Sequence, residues 1–236
     1  MASRASSAVE NLLTEDNPTI VQNRLKVPAS DGGGGGGGGI PSDYQSYWKF
    51  QSDMDDETGY RSFTQVGTVT FPGPGPDGNG SMYIGGGAGY GTCANTSVGT
   101  SWSYVFWSKY RGAYYAGYNM TLCTEGGDFA GAWTNYGTGK IQVYVDGAYK
   151  YSADFGWELS SWMHVAVVCT AGSCTLYKNG SYFETLAVGG NLNYNRFGYW
   201  SGGVKTQIEI AHQMIYARAL SADEVEAIYA ATGGAS

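Results

Sequence analysis

Charge is scarce in this sequence. Asp, Glu, Lys and Arg together make up 14% of the chain, against roughly 25% in an ordinary domain. Cations are the smaller share, 13 Lys and Arg against 20 Asp and Glu, for a formal net charge of −7. So thin a spread of positive charge offers no footprint for nucleic acid or an anionic membrane. Long apolar runs are missing too, and nothing approaches the ~18 residues that a bilayer-spanning helix needs. The opening residues, MASRASSAVENLLTEDNPT, turn acidic early and lack the apolar centre of an export signal, so none is expected. Histidine occurs only twice, as His164 and His212, and the 4 cysteines include no C-x-x-C pair. Zinc-ribbon and thioredoxin-type chemistry are thereby disfavoured. No G-x-S-x-G elbow and no phosphate-binding loop occurs.

What the chain has in excess is glycine, 38 residues, and tyrosine, 20. Eight of the glycines are consecutive, Gly32 to Gly39. Glycine loses the most backbone freedom on ordering, so such a run makes neither helix nor strand. It reads as a flexible coil spanning roughly 16 Å. The expected organisation is an N-terminal arm over residues 1–31, a Gly-rich hinge over 32–41 and one domain over 42–236. Ala5, Val9, Leu12 and Leu13 recur on one face of a short helix that Pro18 ends, and Ile20, Leu25 and Val27 follow in an extended style. A piece this short does not hold a helix alone in water. Val9, Leu12, Leu13, Ile20, Leu25 and Val27 are therefore expected to dock on a partner, the alternative being a disordered tail.

From Tyr44 onward the pattern is β. WSYVFWSKY, KIQVYVDGAYKYSAD, WMHVAVVCTAGSCTLYKNGSYFETL and IEIAHQMIYAR are rich in β-branched and aromatic residues. Asp146-Gly147 and Asn179-Gly180 mark two tight hairpins. Ile141, Val143 and Val145 alternate with Gln142 and Tyr144, which predicts one buried and one wet face. No helical pattern separates the strands, so the sheets should be antiparallel. The exception is ALSADEVEAIYAATGG, where Ser221 and Glu224 form a capping box. Val225, Ile228 and Tyr229 follow as an apolar stripe, and Gly233-Gly234 closes a short helix expected at the sandwich edge.

These pieces, in this order, resemble the laminin-G-like jelly roll of the concanavalin A-like lectin and glucanase superfamily. Trp162, His164, Val165 and Ala166 match one strand, and Leu176, Tyr177, Asn179 and Gly180 its hairpin partner. Ile215, Tyr216, Arg218, Ala219, Leu220 and Ser221 match the lead into the closing helix. The resemblance covers about residues 44–231. It implies an all-β, two-sheet antiparallel sandwich of about six or seven strands per sheet with a short C-terminal helix. Relatives often carry an Asp before the I-Y-x-R-A-L-S signature, where this chain has Ile210, Ala211, His212 and Gln213. The glucanase branch needs carboxylates alternating on one strand to set acid and nucleophile side by side. Here QIEIAHQ offers only Glu209, so no hydrolase of that type, and no enzyme, is expected.

Several constellations remain as candidates. Asp53, Asp55 and Asp56 supply hard oxygen ligands that suit calcium, although a solvated acidic turn is the favoured reading of the stretch. No other cofactor is expected. Cys169 and Cys174 flank a four-residue loop and either pair as a disulfide or stay reduced. The histidines read as hydrogen-bonded strand residues rather than general bases. Tyr114, Tyr115, Tyr118, Trp133, Asn135, Tyr199 and Trp200 cluster in loops mixing rings with Asn and Gly. Rings stack on the CH faces of sugars while Asn holds hydroxyls, so a glycan site fits them. A subunit interface or aromatic core fits them as well.

A lectin-like sandwich without an export signal is reconciled if the protein reaches the outside on a particle. The expectation is a non-enzymatic decoration, cement or fibre-type protein of a tailed-phage virion surface. Its partners would be a capsid protein or its own copies through the arm, and cell-surface glycans through the jelly roll. The alternative is a free extracellular carbohydrate-binding module.

Overall fold

The structure, a computed structural model, describes residues 39–84, 89–111, 118–120, 122–123, 131–135, 139–198 and 207–234, with backbone alone at 118–120, 123 and 131–135. The arm residues Val9, Leu12, Leu13, Ile20, Leu25 and Val27 lie outside the described residues.

The strands, in chain order, are β1 (Ser46–Trp48), β2 (Thr64–Gly67), β3 (Met82–Ile84), β4 (Gly89–Gly99), β5 (Trp102–Tyr110), β6 (Tyr118–Met120), β7 (Leu122–Cys123), β8 (Gly131–Asn135), β9 (Lys140–Val145) and β10 (Ala148–Tyr151). They continue as β11 (Trp162–Cys169), β12 (Cys174–Lys178), β13 (Ser181–Leu186), β14 (Leu192–Phe197) and β15 (Ile208–Tyr216), and helix α1 (Ala222–Ala231) closes the fold. One layer is a seven-stranded sheet ordered β1-β15-β5-β11-β12-β13, with β3 also paired to β15. The opposing layer differs from the expected single sheet of six or seven strands. It consists of two four-stranded sheets, β2-β4-β14-β7 and β10-β9-β8-β6. The β14–β4 ladder carries register shifts at Leu192/Asn193 and Tyr194/Arg196. All ladders are antiparallel, and the architecture is an all-β jelly-roll sandwich.

Period-two alternation places the core. Trp102, Tyr104 and Phe106 of β5, Val165 and Val167 of β11, Leu192 and Tyr194 of β14, and Ile141, Val143 and Val145 of β9 share one buried cluster between the layers. β11 is buried on both faces, because Ala166 and Val168 join a second cluster on the far side of the large sheet. Val225 and Ile228 of α1 complete that second cluster. The helix therefore covers the outer face of the sheet rather than its edge. Its apolar stripe needs a broad partner, which a strand edge with its unpaired backbone does not offer.

The signature residues before the helix have clear tasks. Arg218 grips Asp43 with Nε (2.6 Å) and Nη2 (2.9 Å), and its terminal nitrogens also reach Glu224 at 2.7 and 2.9 Å. The chain's entry into the domain is thereby pinned to the helix that ends it. Ser221 accepts from the Glu224 N–H, and Glu224 accepts from the Ser221 N–H, as the capping box requires. The Gly234 N–H donates to the Tyr229 carbonyl past Gly233, closing the other end.

The hairpin turns follow from backbone sterics. Asp146 and Gly147 have φ of 46° and 78°, and Asn179 and Gly180 have 49° and 78°. Two successive left-handed residues match the twist of the flanking strands, which is why Asp-Gly and Asn-Gly stand there. Cys169 and Cys174 face each other in register across the β11–β12 hairpin, fully buried and joined as a disulfide. Closing so short a loop restricts the unfolded chain by about 2 kcal/mol. The Cys169→Ala, Cys174→Ala double variant should lose about that much stability in urea, whereas an unchanged midpoint would show the pair to be dispensable.

Candidate functional site

In the sheet β10-β9-β8-β6, β9 turns one face to the core, and on its other face the described side chains run from buried Gln142 to exposed Tyr149 and Tyr151 of β10. On β9, Ile141, Val143 and Val145 are fully buried, so Gln142 and Tyr144 belong to the opposite face. The tight turn at Asp146-Gly147 brings β10 back in a fixed register. It sets Tyr149 opposite Tyr144 and Tyr151 opposite Gln142. Directly opposed residues share a face, so three tyrosines and one glutamine gather there. The Tyr144 and Tyr149 rings lie parallel within 7° at 6.1 Å between centroids, and Tyr151 meets Tyr149 edge-on at 5.7 Å. Tyr149 is 53% and Tyr151 41% exposed.

Gln142 departs from the expected wet position. It is 5% exposed, and its Oε1 has no hydrogen-bond partner. Its row lies at mid-sheet, between Tyr151 on one side and the Trp133 position on the other. A buried amide oxygen without a partner costs of order 1–3 kcal/mol, a cost that a ligand donor would relieve.

The register places three of the sequence candidates by backbone. Trp133 pairs with Gln142 and with Met120, and Asn135 pairs with Lys140 and Tyr118. Tyr118, Trp133 and Asn135 thus occupy the rows of Gln142 and Lys140, beside the tyrosine ladder. Tyr114, Tyr115, Tyr199 and Trp200 lie outside the described residues. Tyr144, Tyr149 and Tyr151 were not singled out from the sequence. The signal was there: alternation on both arms of a hairpin forces every second residue onto one face.

The acidic candidates do not converge. Asp56 is 5% exposed and accepts the backbone N–H groups of Tyr47 (2.9 Å), Thr58 (3.0 Å) and Arg61 (2.8 Å). Its oxygens are committed to holding the loop, while Asp53 accepts the Asp55 N–H at 3.1 Å and both side chains face solvent. Among the described residues no group of three His, Cys, Asp or Glu is placed to hold a metal ion. Glu209 is likewise committed, fully buried and ion-paired with Lys109 at 2.7 Å and with Arg111.

Each histidine is a structural element. His212 sits at φ 48° in a β15 bulge, with Nδ1 2.6 Å from the Tyr47 hydroxyl and Nε2 2.9 Å from Asp77. Burial lowers its pKa, and Asp77 pulls the other way. His164 differs from the expected hydrogen-bonded residue, because neither ring nitrogen has a partner. Its ring is fully buried between Trp107 and Tyr229, at 5.2 and 5.5 Å. Burial, helped by the charge of His212, pushes its pKa down to about 3.

That depression has a defined sign. Below about pH 6.5 the unfolded chain takes up a proton that folded His164 refuses, so stability is full above that pH and falls as acid is added. The slope is about 1.4 kcal/mol per pH unit until the native imidazole titrates. From pH 6 to pH 4 the natural chain should lose about 2–3 kcal/mol more than a His164→Leu variant. Denaturant melts across pH check this, and parallel curves for the two proteins would refute it.

Comparison with known proteins places this geometry. The family model described as the concanavalin A-like lectin/glucanases superfamily matches residues 84–226. No curated protein matches the chain by sequence. Among solved structures, the receptor-binding domain of botulinum neurotoxin type G superposes with a TM-score of 0.59 at 16% identity, over 80% of this chain and 51% of that one. The structure of botulinum neurotoxin type C, whose cell entry depends on interaction with two ganglioside molecules, gives 0.61 at 14% identity, over 82% and 52%. Domain 4 of AbnA, a GH43 extracellular arabinanase from Geobacillus stearothermophilus in complex with arabinotriose, gives 0.59 at 16% identity, over 78% and 97%. At such identities the likeness is one of fold. The chain spans about half the length of the neurotoxin domains and nearly all of the arabinanase domain.

Proposed function

The chain belongs to the concanavalin A-like lectin/glucanases superfamily, and from that premise we propose that it is a non-enzymatic carbohydrate-binding jelly roll. Its ligand lies on the face of β9 and β10 that is turned away from the core. The observation that carries this reading is the ladder of Tyr144, Tyr149 and Tyr151 beside the unpartnered Gln142. Exposed rings on a rigid hairpin meet the CH face of a pyranose at little entropic cost, and a buried amide fixes a hydroxyl. The ganglioside and arabinotriose of the structural neighbours support sugar as the ligand class. Among the described residues Glu209 is held in its ion pair and both histidines pack as structural groups, which favours binding over catalysis. Screening the full chain on a glycan array, followed by calorimetry on the best ligand, tests the reading. Saturable binding to at least one oligosaccharide is expected, and none at millimolar sugar would sink it.

The glycine run Gly32–Gly39 favours a second element of this reading. It separates the jelly roll from an arm with an apolar pattern, the arrangement of an anchor and a displayed module. On a virion surface many copies would multiply weak sugar contacts into avidity. Light scattering of the full chain against a version starting at Ile40 is expected to show larger assemblies for the full chain alone. Identical masses would remove the anchoring role.

A further inference from the structure

The outer face of the seven-stranded sheet carries one row that the sugar reading does not use. Tyr83 of β3 opposes Glu209 of β15, Glu209 opposes Lys109 of β5, and Lys109 opposes Trp162 of β11. The core-facing neighbours Met82, Ile84, Ile208, Ile210 and Met163 fix this row on the other side. Glu209 is fully buried and ion-paired with Lys109 at 2.7 Å and with the Arg111 Nε. The Lys109 ammonium is also covered by the Trp162 ring, 4.7 Å from its centroid, and its side chain is only 16% exposed. Arg111 is different. Its side chain is 44% exposed, its guanidinium lies 5.7 Å from the Tyr83 centroid, and its backbone N–H donates to the Gln207 carbonyl at 3.2 Å.

One carboxylate shared by two cations leaves a net positive charge. Lys109 is shielded, so that charge reaches solvent through Arg111. Its Nε contacts Glu209, and among the described residues Glu209 is the one carboxylate paired with it. An arginine normally loses side-chain freedom when it binds. Here the buried Glu209 and the Tyr83 ring have already fixed the fork. A planar guanidinium anchored through Nε and 44% exposed has terminal N–H groups left to meet an oxyanion.

We propose that Arg111, set above the Tyr83–Glu209–Lys109–Trp162 row, is a recognition site for a single oxyanion: the carboxylate, sulfate or phosphate group of a ligand. The site is independent of the tyrosine ladder, which lies on a different sheet. Its test follows the Arg111 Nε–H and Trp162 indole N–H resonances of the full chain during titration at constant ionic strength. Separate arms use sodium sulfate, inorganic phosphate and sodium acetate, each balanced against sodium chloride. A saturable shift of the Arg111 signal with at least one of these anions, absent with chloride, is expected. The Trp162 signal should show the same saturable response, weakened about tenfold or more in Arg111→Ala. That variant leaves Glu209 its Lys109 partner, and an unmoved Trp102 indole signal confirms its core is intact. Arg111→Lys keeps the charge but lacks the fork, and it should bind more weakly than the natural chain. Equal shifts with chloride, or full retention of the Trp162 response in Arg111→Ala, would overturn the proposal.

Discussion

Alanine in place of Asp56 lowers the unfolding free energy by about 3 kcal/mol or more, the largest stability loss expected from any acidic residue of the loop. The carboxylate accepts three backbone N–H groups, those of Tyr47, Thr58 and Arg61. Hydrogen bonds to an ionised acceptor contribute roughly 1.5–3 kcal/mol each, and removing the acceptor strands the donors. The Tyr47 N–H belongs to β1, so the loop and the strand beside β15 loosen together. Asp55→Ala, two positions from Asp53 and facing solvent, is the control and should stay within about 0.5 kcal/mol. Urea titrations of both variants read the difference. Equal, small changes would show that Asp56 does not hold the loop, and would return the acidic stretch to consideration as a ligand set.

Removing the two exposed rings has the largest expected effect on binding. Tyr149→Ala and Tyr151→Ala, singly, should each weaken the best oligosaccharide about tenfold or more, and together abolish measurable affinity. Rings at the centre of a recognition face concentrate the energy, because they replace water over a wide apolar area at the cost of two torsions. Both side chains are exposed, at 53% and 41%, so the unfolding free energy of each single variant should stay within about 1 kcal/mol of the natural chain. Calorimetry with the same glycan reads affinity, and a urea melt reads the fold. Undiminished binding in the double variant would move the site elsewhere.

Local rules made much of the fold legible. Asp146-Gly147 and Asn179-Gly180 announced their turns because so few residue pairs accept two successive positive φ values. Ser221 with Glu224 announced the helix start through a reciprocal bond spanning three residues. What escaped depends on distant partners. The face that α1 covers is decided by Val105, Ala166 and Met214 on three different strands, two of them more than fifty residues before the helix. Glu209 looked like a lone carboxylate because its partners lie about a hundred residues earlier, at Lys109 and Arg111. The candidate site was half legible. Tyr118, Trp133 and Asn135 fall in the right rows of the right sheet, but the ladder of Tyr144, Tyr149 and Tyr151 was hidden by treating only β9 as alternating.

The account stands or falls on where sugar touches the protein. Ring resonances of isotopically labelled tyrosines, followed while the full chain is titrated with its best oligosaccharide, measure this directly. The rings of Tyr149 and Tyr151 should shift and saturate with the ligand, while Tyr60 and Tyr182, equally open to solvent at 44% and 65%, stay still. Movement of Tyr60 or Tyr182 with Tyr149 and Tyr151 silent would place recognition on another surface and contradict the assignment.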